Sequence, residues 1–168
     1  MDHEPLTLRG DYNIMAVLRD MRTGQTRRIP GRNLVTNDGD AYFAQKVGGS
    51  EPFTVAGIRL GLGTPTPGKT DTDVASFLTG GTKAVDAGYP KVSDDDADNS
   101  AYASADSNTW RFSFGTADGN GTAIREGAIV DNLTTPTKAV NHFVFAANFN
   151  KTTSDTLKVF SNVNCLGS

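Results

Sequence analysis

The feature that most constrains the fold is an alternation of apolar and polar residues in the second half of the chain. In TWRFSFGT, residues 109–116, Trp110, Phe112 and Phe114 occupy every second position, between Arg111 and Ser113. Successive side chains of a strand point to opposite faces, so this pattern predicts a strand with one buried face. Similar strands are predicted at 139–149 and 155–163, and the turn sequence DGNG at 118–121 predicts a hairpin.

The first half of the chain carries shorter signals of the same kind. Strands are predicted at 12–20 and 56–63, with a return strand ending near Ile29, a weak strand at 83–92 and one helical turn at 74–78. Residues 37–47, NDGDAYFAQKV, differ, because they predict a short helix capped by Asn37 or Asp38. Ala41, Ala44 and Val47 are spaced to share its buried face.

Together these elements predict a mainly β fold. We expect an antiparallel β-sandwich or jelly-roll-like barrel with one short helix and an extended N-terminal arm. Residues 1–10 bury little and are assigned to the arm, and residues 11–168 are assigned to a single β domain. A chain of 168 residues is long enough for one packed domain and short for two.

The stretch GLGTPTPGKTDTD, residues 61–73, contains the letters of a phosphate-binding loop, G-x-x-x-x-G-K-[ST]. Such a loop presents backbone N–H groups to phosphate, and Pro65 and Pro67 lack theirs. Asp71 and Asp73 would place negative charge beside the anion. These loops also belong to parallel βαβ units, whereas this chain predicts hairpins. We therefore interpret the match as accidental and expect no nucleotide cofactor.

The charge pattern gives little reason to expect a nucleic-acid partner, because the net charge is −3. No stretch approaches the roughly 20 apolar residues that cross a membrane, so no membrane partner is expected. Arginines are concentrated in the first hairpin, and aspartates are concentrated in a loop at 93–108. Two interpretations are open: a solvated surface, or a head-to-tail contact between neighbouring copies. The hairpin arginines are Arg19, Arg22, Arg27, Arg28 and Arg32.

Asp94, Asp96 and Asp98 alternate like the start of a calcium-binding loop. The sixth position of that loop would be Asn99 instead of glycine, and the twelfth would be Ala105 instead of glutamate. The three aspartates are therefore weak metal candidates, and a solvated acidic loop is the alternative.

No set of residues predicts catalysis. His142 is expected to be a hydrogen-bonded histidine within a sheet, and His3 is far from it in sequence. Glycoside hydrolysis would require a second carboxylate facing Glu126, and the sequence identifies none. Glu126 is therefore expected to form a structural ion pair or to be a hydrogen-bonded carboxylate. Cys165 has no obvious histidine partner and is interpreted as inert. The protein is accordingly predicted not to be an enzyme.

Four segments in a fixed order resemble small virion structural proteins of tailed double-stranded-DNA bacteriophages. They are NLVTNDG at 33–39, GIRLGLGTPTPGKTDTD at 57–73, AIREGAIVDN at 123–132 and FVFAANFNKTTSDTLKVF at 143–160. The similarity covers residues 33–163. The chain departs from the family pattern at 126–130, which read EGAIV where the family has a small pair followed by Leu-Phe.

The resemblance implies a β-sandwich component of the virion without catalysis. We expect a capsid decoration (cement) protein on the outer surface of the head, assembled in the host cytoplasm, which bridges neighbouring copies of the major capsid protein. Residues 1–10 would be a bridging arm, and homo-oligomerisation is expected. The residues predicted to form the protein interface are Arg9, Arg19, Arg22, Arg27 and Arg28.

Two other functions remain open at this point. The first keeps the protein in the virion and places it in the tail, as a tail-tip, adaptor or fibre-base subunit in contact with tail proteins. The second, from another class, is a carbohydrate-binding module that uses the loop at 93–108 and aromatic residues such as Tyr89 or Tyr102.

Overall fold

A computed structural model describes residues 11–99 and 107–164. Within these residues the chain forms nine strands and one helix. The strands are β1 (Asp11–Asp20), β2 (Thr26–Val35), β3 (Gly57–Gly61), β4 (Phe77–Ala84), β5 (Lys91–Val92), β6 (Ser107–Phe114), β7 (Gly121–Val130), β8 (Ala139–Lys151) and β9 (Asp155–Asn164), and the helix, between β2 and β3, is α1 (Asn37–Val47). The prediction of a mainly β fold with one short helix is confirmed.

All nine strands belong to one sheet, in the order β4-β3-β7-β8-β2-β1-β9-β6-β5. Every pair of neighbouring strands is antiparallel. The sheet curls until the segment that follows β4 approaches β6, where Asp86 N donates to Arg111 O at 3.0 Å. This half-barrel encloses one core and is consistent with the predicted sandwich or barrel.

Aromatic side chains fill the interior of the half-barrel. Phe145 contacts both Phe143 and Phe149 edge to face, with ring centroids 5.3 and 5.2 Å apart. These contacts follow from the predicted alternation, since inward positions of β6 and β8 carry aromatic residues. The buried aromatic residues of this core are Tyr42, Trp110, Phe112, Phe114, Phe143, Phe145 and Phe149.

The helix closes one end of the core, but it does so through a face other than the predicted one. Tyr42 is buried and its ring centroid lies 6.2 Å from that of Trp110, whereas Val47 is 80% exposed. The N-cap is Thr36 instead of Asn37 or Asp38, because Thr36 Oγ1 accepts the N–H of Gly39 at 3.0 Å. A threonine hydroxyl satisfies one of the free amides of the first turn.

Several predicted element boundaries were wrong. β2 continues to Val35 instead of ending near Ile29, because its second half pairs with β8. The helical turn predicted at 74–78 is absent from this described segment, where β4 begins at Phe77. The predicted strand at 83–92 is split between β4 and β5, and the intervening Asp86–Tyr89 turn contains Gly88 at a φ of 81°. The predicted arm, residues 1–10, lies outside the described residues.

Candidate functional site

The segment with the phosphate-loop letters connects β3 to β4 and is anchored to the protein itself. Lys69 Nζ binds Asp40 of α1 at 2.7 Å, and the carbonyl of Lys69 accepts the N–H of Asn37 at 2.8 Å. Gly68 N donates to Oδ2 of Asp71 at 2.7 Å. The lysine and the amide that a phosphate would require are therefore both engaged with carboxylates.

Glu126 of β7 is fully buried beneath this connection and organises both of its ends. Oε1 accepts the N–H groups of Gly63 and Ser76 at 2.8 and 2.9 Å, and Oε2 accepts the N–H of Ala75 at 2.9 Å. A side chain at position 63 would collide with this carboxylate, since a Cβ there would lie 2.5 Å from Oε1. Gly63 is thus required for the backbone to approach a buried acid.

His142 of β8 links Glu126 to a second carboxylate in the connection. Its Nε2 lies 2.8 Å from Glu126 Oε2, and its Nδ1 lies 2.6 Å from Asp71 Oδ2. The histidine side chain is 2% exposed. We call Asp71, His142 and Glu126 the latch, because together they hold residues 62–76 against β7 and β8.

The charged groups of the latch bind one another. Burial alone would raise the pKa of Glu126, but the hydrogen bonds from His142 and from three backbone amides outweigh burial and lower it. Burial alone would lower the pKa of His142, yet its hydrogen bonds to Glu126 and Asp71 raise it. The arrangement therefore favours an imidazolium held between two carboxylates.

The contacts of the latch indicate a structural role for its residues. A general base needs a free nitrogen or oxygen within reach of a substrate proton. Both ring nitrogens of His142 are occupied by carboxylates, and both oxygens of Glu126 are occupied by donors. The expectation that His142 is a hydrogen-bonded sheet histidine is confirmed, and Glu126 is hydrogen-bonded as expected.

Arg59 of β3 provides a second anchor on the same side of the sheet. Its Nε binds Asp73 at 2.7 Å, its Nη1 donates to the carbonyl of Leu133 at 2.5 Å, and its guanidinium lies 3.8 Å from the ring centroid of Phe77. The anchored connection covers a small apolar cluster that includes Val74 and packs on β7. Its buried members are Val74, Ala128, Val130 and Ala139.

The pH dependence of the latch follows from the direction of the two shifts. The raised pKa of His142 contributes stability that is fully present below the ordinary value of 6.5 and is lost as the pH rises through the folded value. The lowered pKa of Glu126 contributes stability that is present above 4.5 and is lost as the pH falls through the folded value. The latch is therefore strongest between these two transitions.

Replacing His142 by glutamine is expected to reveal the upper transition. At pH 6 the variant should lose about 1–3 kcal/mol of unfolding free energy, because one buried carboxylate is left with a poorer donor. The difference from the wild type should narrow toward pH 9, as the wild-type imidazolium deprotonates. Urea unfolding of both proteins across this range measures the gap, and a gap that stays constant or widens with pH would contradict the charged histidine.

The acidic loop that follows β5 folds back onto the outer face of β6 and β9. Asp96 binds Arg111 at 2.9 Å and Lys158 at 3.0 Å, and Asp98 binds Lys158 at 2.9 Å. Asp94 accepts the hydroxyl of Tyr89 at 2.7 Å. These contacts place the three weak metal candidates against donors of the same chain. Within residues 11–99 and 107–164, no group of three or more His, Cys, Asp or Glu side chains is arranged to hold a metal ion.

The structure brings some of the hairpin arginines to this acidic loop. Arg19 lies 3.3 Å and Arg28 lies 4.0 Å from Oδ1 of Asp98. The opposite charges thus meet within one chain, in a way that neither sequence interpretation anticipated. Arg22 is 74% exposed and binds its neighbour Asp20 at 3.5 Å.

Two further arginines of β2 do not contact the acidic loop in the described residues. Arg27 and Arg32 are exposed, and neither makes an ion pair with any residue in the described part of the chain. Arg9, the remaining interface candidate, lies outside the described residues, as do His3, Tyr102, Ala105 and Cys165.

An open cavity of about 240 Å³ lies at the helix end of the half-barrel. Its walls include the rings of Tyr42, Phe53 and Tyr89, with Trp110 among the lining residues. Tyr89, one of the aromatic residues proposed for sugar binding, thus reaches a concave surface, although the guanidinium of Arg111 lies 4.3 Å from its ring centroid.

Comparison with known proteins gives no family for this chain: no family model matches it, and searches of curated proteins and of solved structures found no match. The helix in the described residues is too short to cross a membrane. The proposed function therefore rests on the contacts of the described residues and on the sequence motifs.

Proposed function

We propose that the protein is a non-enzymatic structural subunit of a bacteriophage virion, and specifically a capsid decoration protein that bridges neighbouring capsid subunits. The proposal rests on the resemblance of the motifs in residues 33–163 to small virion proteins. It also rests on a contrast in charge placement. The buried ionisable groups of the latch are engaged with one another, whereas the exposed Arg27 and Arg32 of β2 have no ion-pair partner in the described residues.

The observation that carries the proposal is the exposure of Arg27 and Arg32, which project from opposite faces of β2. An exposed guanidinium offers a planar fork of donors that fits a carboxylate on another protein. Arg28, which shares the face of Arg32 and is only loosely held at 4.0 Å from Asp98, adds to the same basic strand. The partner that fits is an acidic surface of the capsid, and the many copies on a shell would multiply a modest contact.

In this mechanism the protein contributes buried area and ion pairs across the seams between capsid subunits. The half-barrel is a rigid support, since its sheet is antiparallel throughout and its β3–β4 connection is fixed by the latch. Shells that carry the protein should then resist the outward pressure of packed DNA better than bare shells. Residues 1–10 would extend the contact as a bridging arm.

Charge reversal of the two unpaired arginines tests the interface. The double variant Arg27→Glu/Arg32→Glu should bind bare capsids of the parent phage at least about tenfold more weakly, because like charges then face each other. A matched control, Lys46→Glu/Lys138→Glu, changes the net charge equally at exposed sites elsewhere and should bind like the wild type. Cosedimentation with capsids over a range of salt concentrations measures both proteins. Equal binding by the two double variants would exclude this interface.

The arm has its own test. A protein that lacks residues 1–10 should remain folded by circular dichroism and should occupy fewer sites on bare capsids than the full chain. Unchanged occupancy would refute the arm and leave the arginine interface standing.

The tail location remains the alternative within the same class. A decoration protein should approach the major capsid protein in copy number on a gel of purified particles, whereas a tail-tip, adaptor or fibre-base subunit should be far scarcer. The measurement needs only intact virions and separates the two locations without a variant.

Carbohydrate binding is kept as a second function because one observation favours it. Phe53 and Tyr89 both line the cavity at the helix end, and aromatic faces stack on sugar rings. A glycan array with wild-type protein and a Phe53→Ala variant tests it. Binding that the variant loses would support the module, and no binding by the wild type would remove it.

A further inference from the structure

Lys151, the last residue of β8, is a buried lysine in an unusual setting. It is 1% exposed, and it makes no ion pair with any carboxylate in the described residues. Its amine donates instead to two neutral oxygens, the carbonyl of Gly115 at 2.7 Å and Oδ1 of Asn120 at 2.9 Å. An ammonium is costly to remove from water unless a carboxylate compensates, so a neutral amine is favoured at this position.

The carboxamide of Asn120 is held in place against this amine. Oδ1 faces Lys151, while Nδ2 donates to the carbonyl of Thr116 at 2.9 Å. Because Cγ is bonded directly to Oδ1, the carbon lies within about 4 Å of Nζ, close to the approach distance of a reacting pair. Both polar atoms of the carboxamide are thus fixed, and its carbonyl oxygen is held against a buried amine.

Burial shifts the amine toward the protonation state that such a nucleophile needs. It lowers the pKa of Lys151, and the more distant charges of Asp155 and Asp118 only partly oppose that effect. An amine attacks a carbonyl carbon through its lone pair, which the ammonium lacks.

We propose that Lys151 and Asn120 form an intramolecular amide cross-link. The lone pair of Nζ attacks Cγ and forms a new C–N bond, and the bond between Cγ and Nδ2 then breaks. One proton passes from Nζ to Nδ2, which leaves as ammonia, so the step consumes no oxidant, reductant or cofactor.

The cross-link would fasten the end of β8 to the turn between β6 and β7. It closes a covalent loop across a separation of 31 residues, and a closed loop restricts the unfolded chain as a disulfide does. A shell protein under mechanical load would gain from such a bond, although the inference does not depend on the proposed function.

Mass spectrometry of the full-length protein tests the cross-link. We expect the intact mass to fall short of the sequence mass by one ammonia, and a tryptic digest to yield a branched peptide that joins residues 112–125 to residues 139–158. Trypsin should not cut after residue 151, since an acylated lysine is no longer a substrate.

Variants and alternative masses make the result decisive. Lys151→Arg removes the amine nucleophile, and Asn120→Ala removes the electrophile, so both should have their full sequence mass. Asn150→Ala, at a neighbouring asparagine whose side chain accepts the N–H of Ala123 instead of the lysine amine, should still lose ammonia. A full wild-type mass would overturn the proposal. A loss of ammonia confined to peptide 112–125 would also overturn it, because that marks a succinimide at Asn120.

Discussion

Replacing Glu126 by alanine is expected to lower the unfolding free energy by about 3–5 kcal/mol, the largest effect of any single polar substitution that we predict. The change leaves three backbone N–H groups and the imidazolium of His142 without their acceptor in a fully buried place. For a chain of this size, such a loss should lower Tm by roughly 10 °C. Urea unfolding at pH 6 and calorimetry measure it.

An exposed glutamate provides the matched control for this substitution. Glu51 is 92% exposed and binds Lys46 at 3.5 Å, so Glu51→Ala should change stability little. If Glu126→Ala were as mild as this control, the latch would not hold the β3–β4 connection.

A double-mutant cycle separates the latch from general damage to the core. Glu126→Gln and His142→Gln should together cost less than the sum of their separate effects, because each alone leaves the other without its charged partner. Coupling energies of about 0.5–3 kcal/mol are usual for residues in direct contact. Strict additivity of the two changes would mean that the 2.8 Å contact between Glu126 and His142 contributes nothing.

The fold class was accessible from the sequence because it depends on local patterns. The alternation in β6, β8 and β9 specifies a buried face at every second residue, and the helix at 37–47 begins and ends where the sequence predicted. Boundaries that depend on pairing were less accessible. β2 continues to Val35 because it finds a partner in β8, which no local pattern in TRRIPGRNLV announces.

The latch could not be predicted, although both of its strand residues, Glu126 and His142, were expected to be hydrogen-bonded or ion-paired. Glu126 and His142 meet because Glu126 pairs with Val144 and Ala128 pairs with His142, which places them diagonally on one face of the sheet. That register is interrupted by irregularities in β7, so counting residues along the strands does not give it. Asp71 comes from a connection 71 residues away from His142. The apolar sequence around His142 was a partial signal, because it required a buried polar partner.

The ion pairs of the acidic loop were likewise inaccessible from the sequence, because they depend on strand pairing. Two charged clusters of opposite sign are evident in the sequence, but their order along the chain does not show whether they meet within one chain or between chains. The pairing of β1 with β9 decides this question, because it brings Arg19 near Lys158 and the loop that carries Asp98. The virion role, the partners and the location of the protein stay predictions, and the capsid experiments above address them.

Replacing Gly39 by alanine is expected to destabilise the protein, although alanine is the better helix former. Helix propensity alone would predict a gain of about 1 kcal/mol at this position in α1. In the structure, however, a Cβ on residue 39 would lie 1.9 Å from the carbonyl oxygen of Val140, and 2.8 Å from a methyl group of Val35. That carbonyl belongs to β8 and accepts the N–H of Thr36 at 3.2 Å, so it cannot move without breaking the junction between helix and sheet.

The expected loss is about 3 kcal/mol, at the upper end for overpacking, because the obstacle is backbone and not a flexible side chain. The control is Gly115→Ala, where the nearest atom to a new Cβ is Oδ2 of Asp118 at 3.7 Å and ordinary packing is retained. Thermal unfolding of the two variants should place Gly39→Ala well below the wild type and Gly115→Ala close to it. A stabilised Gly39→Ala protein would mean that α1 can shift away from β8, and the helix would then be a movable lid instead of a fixed closure of the core.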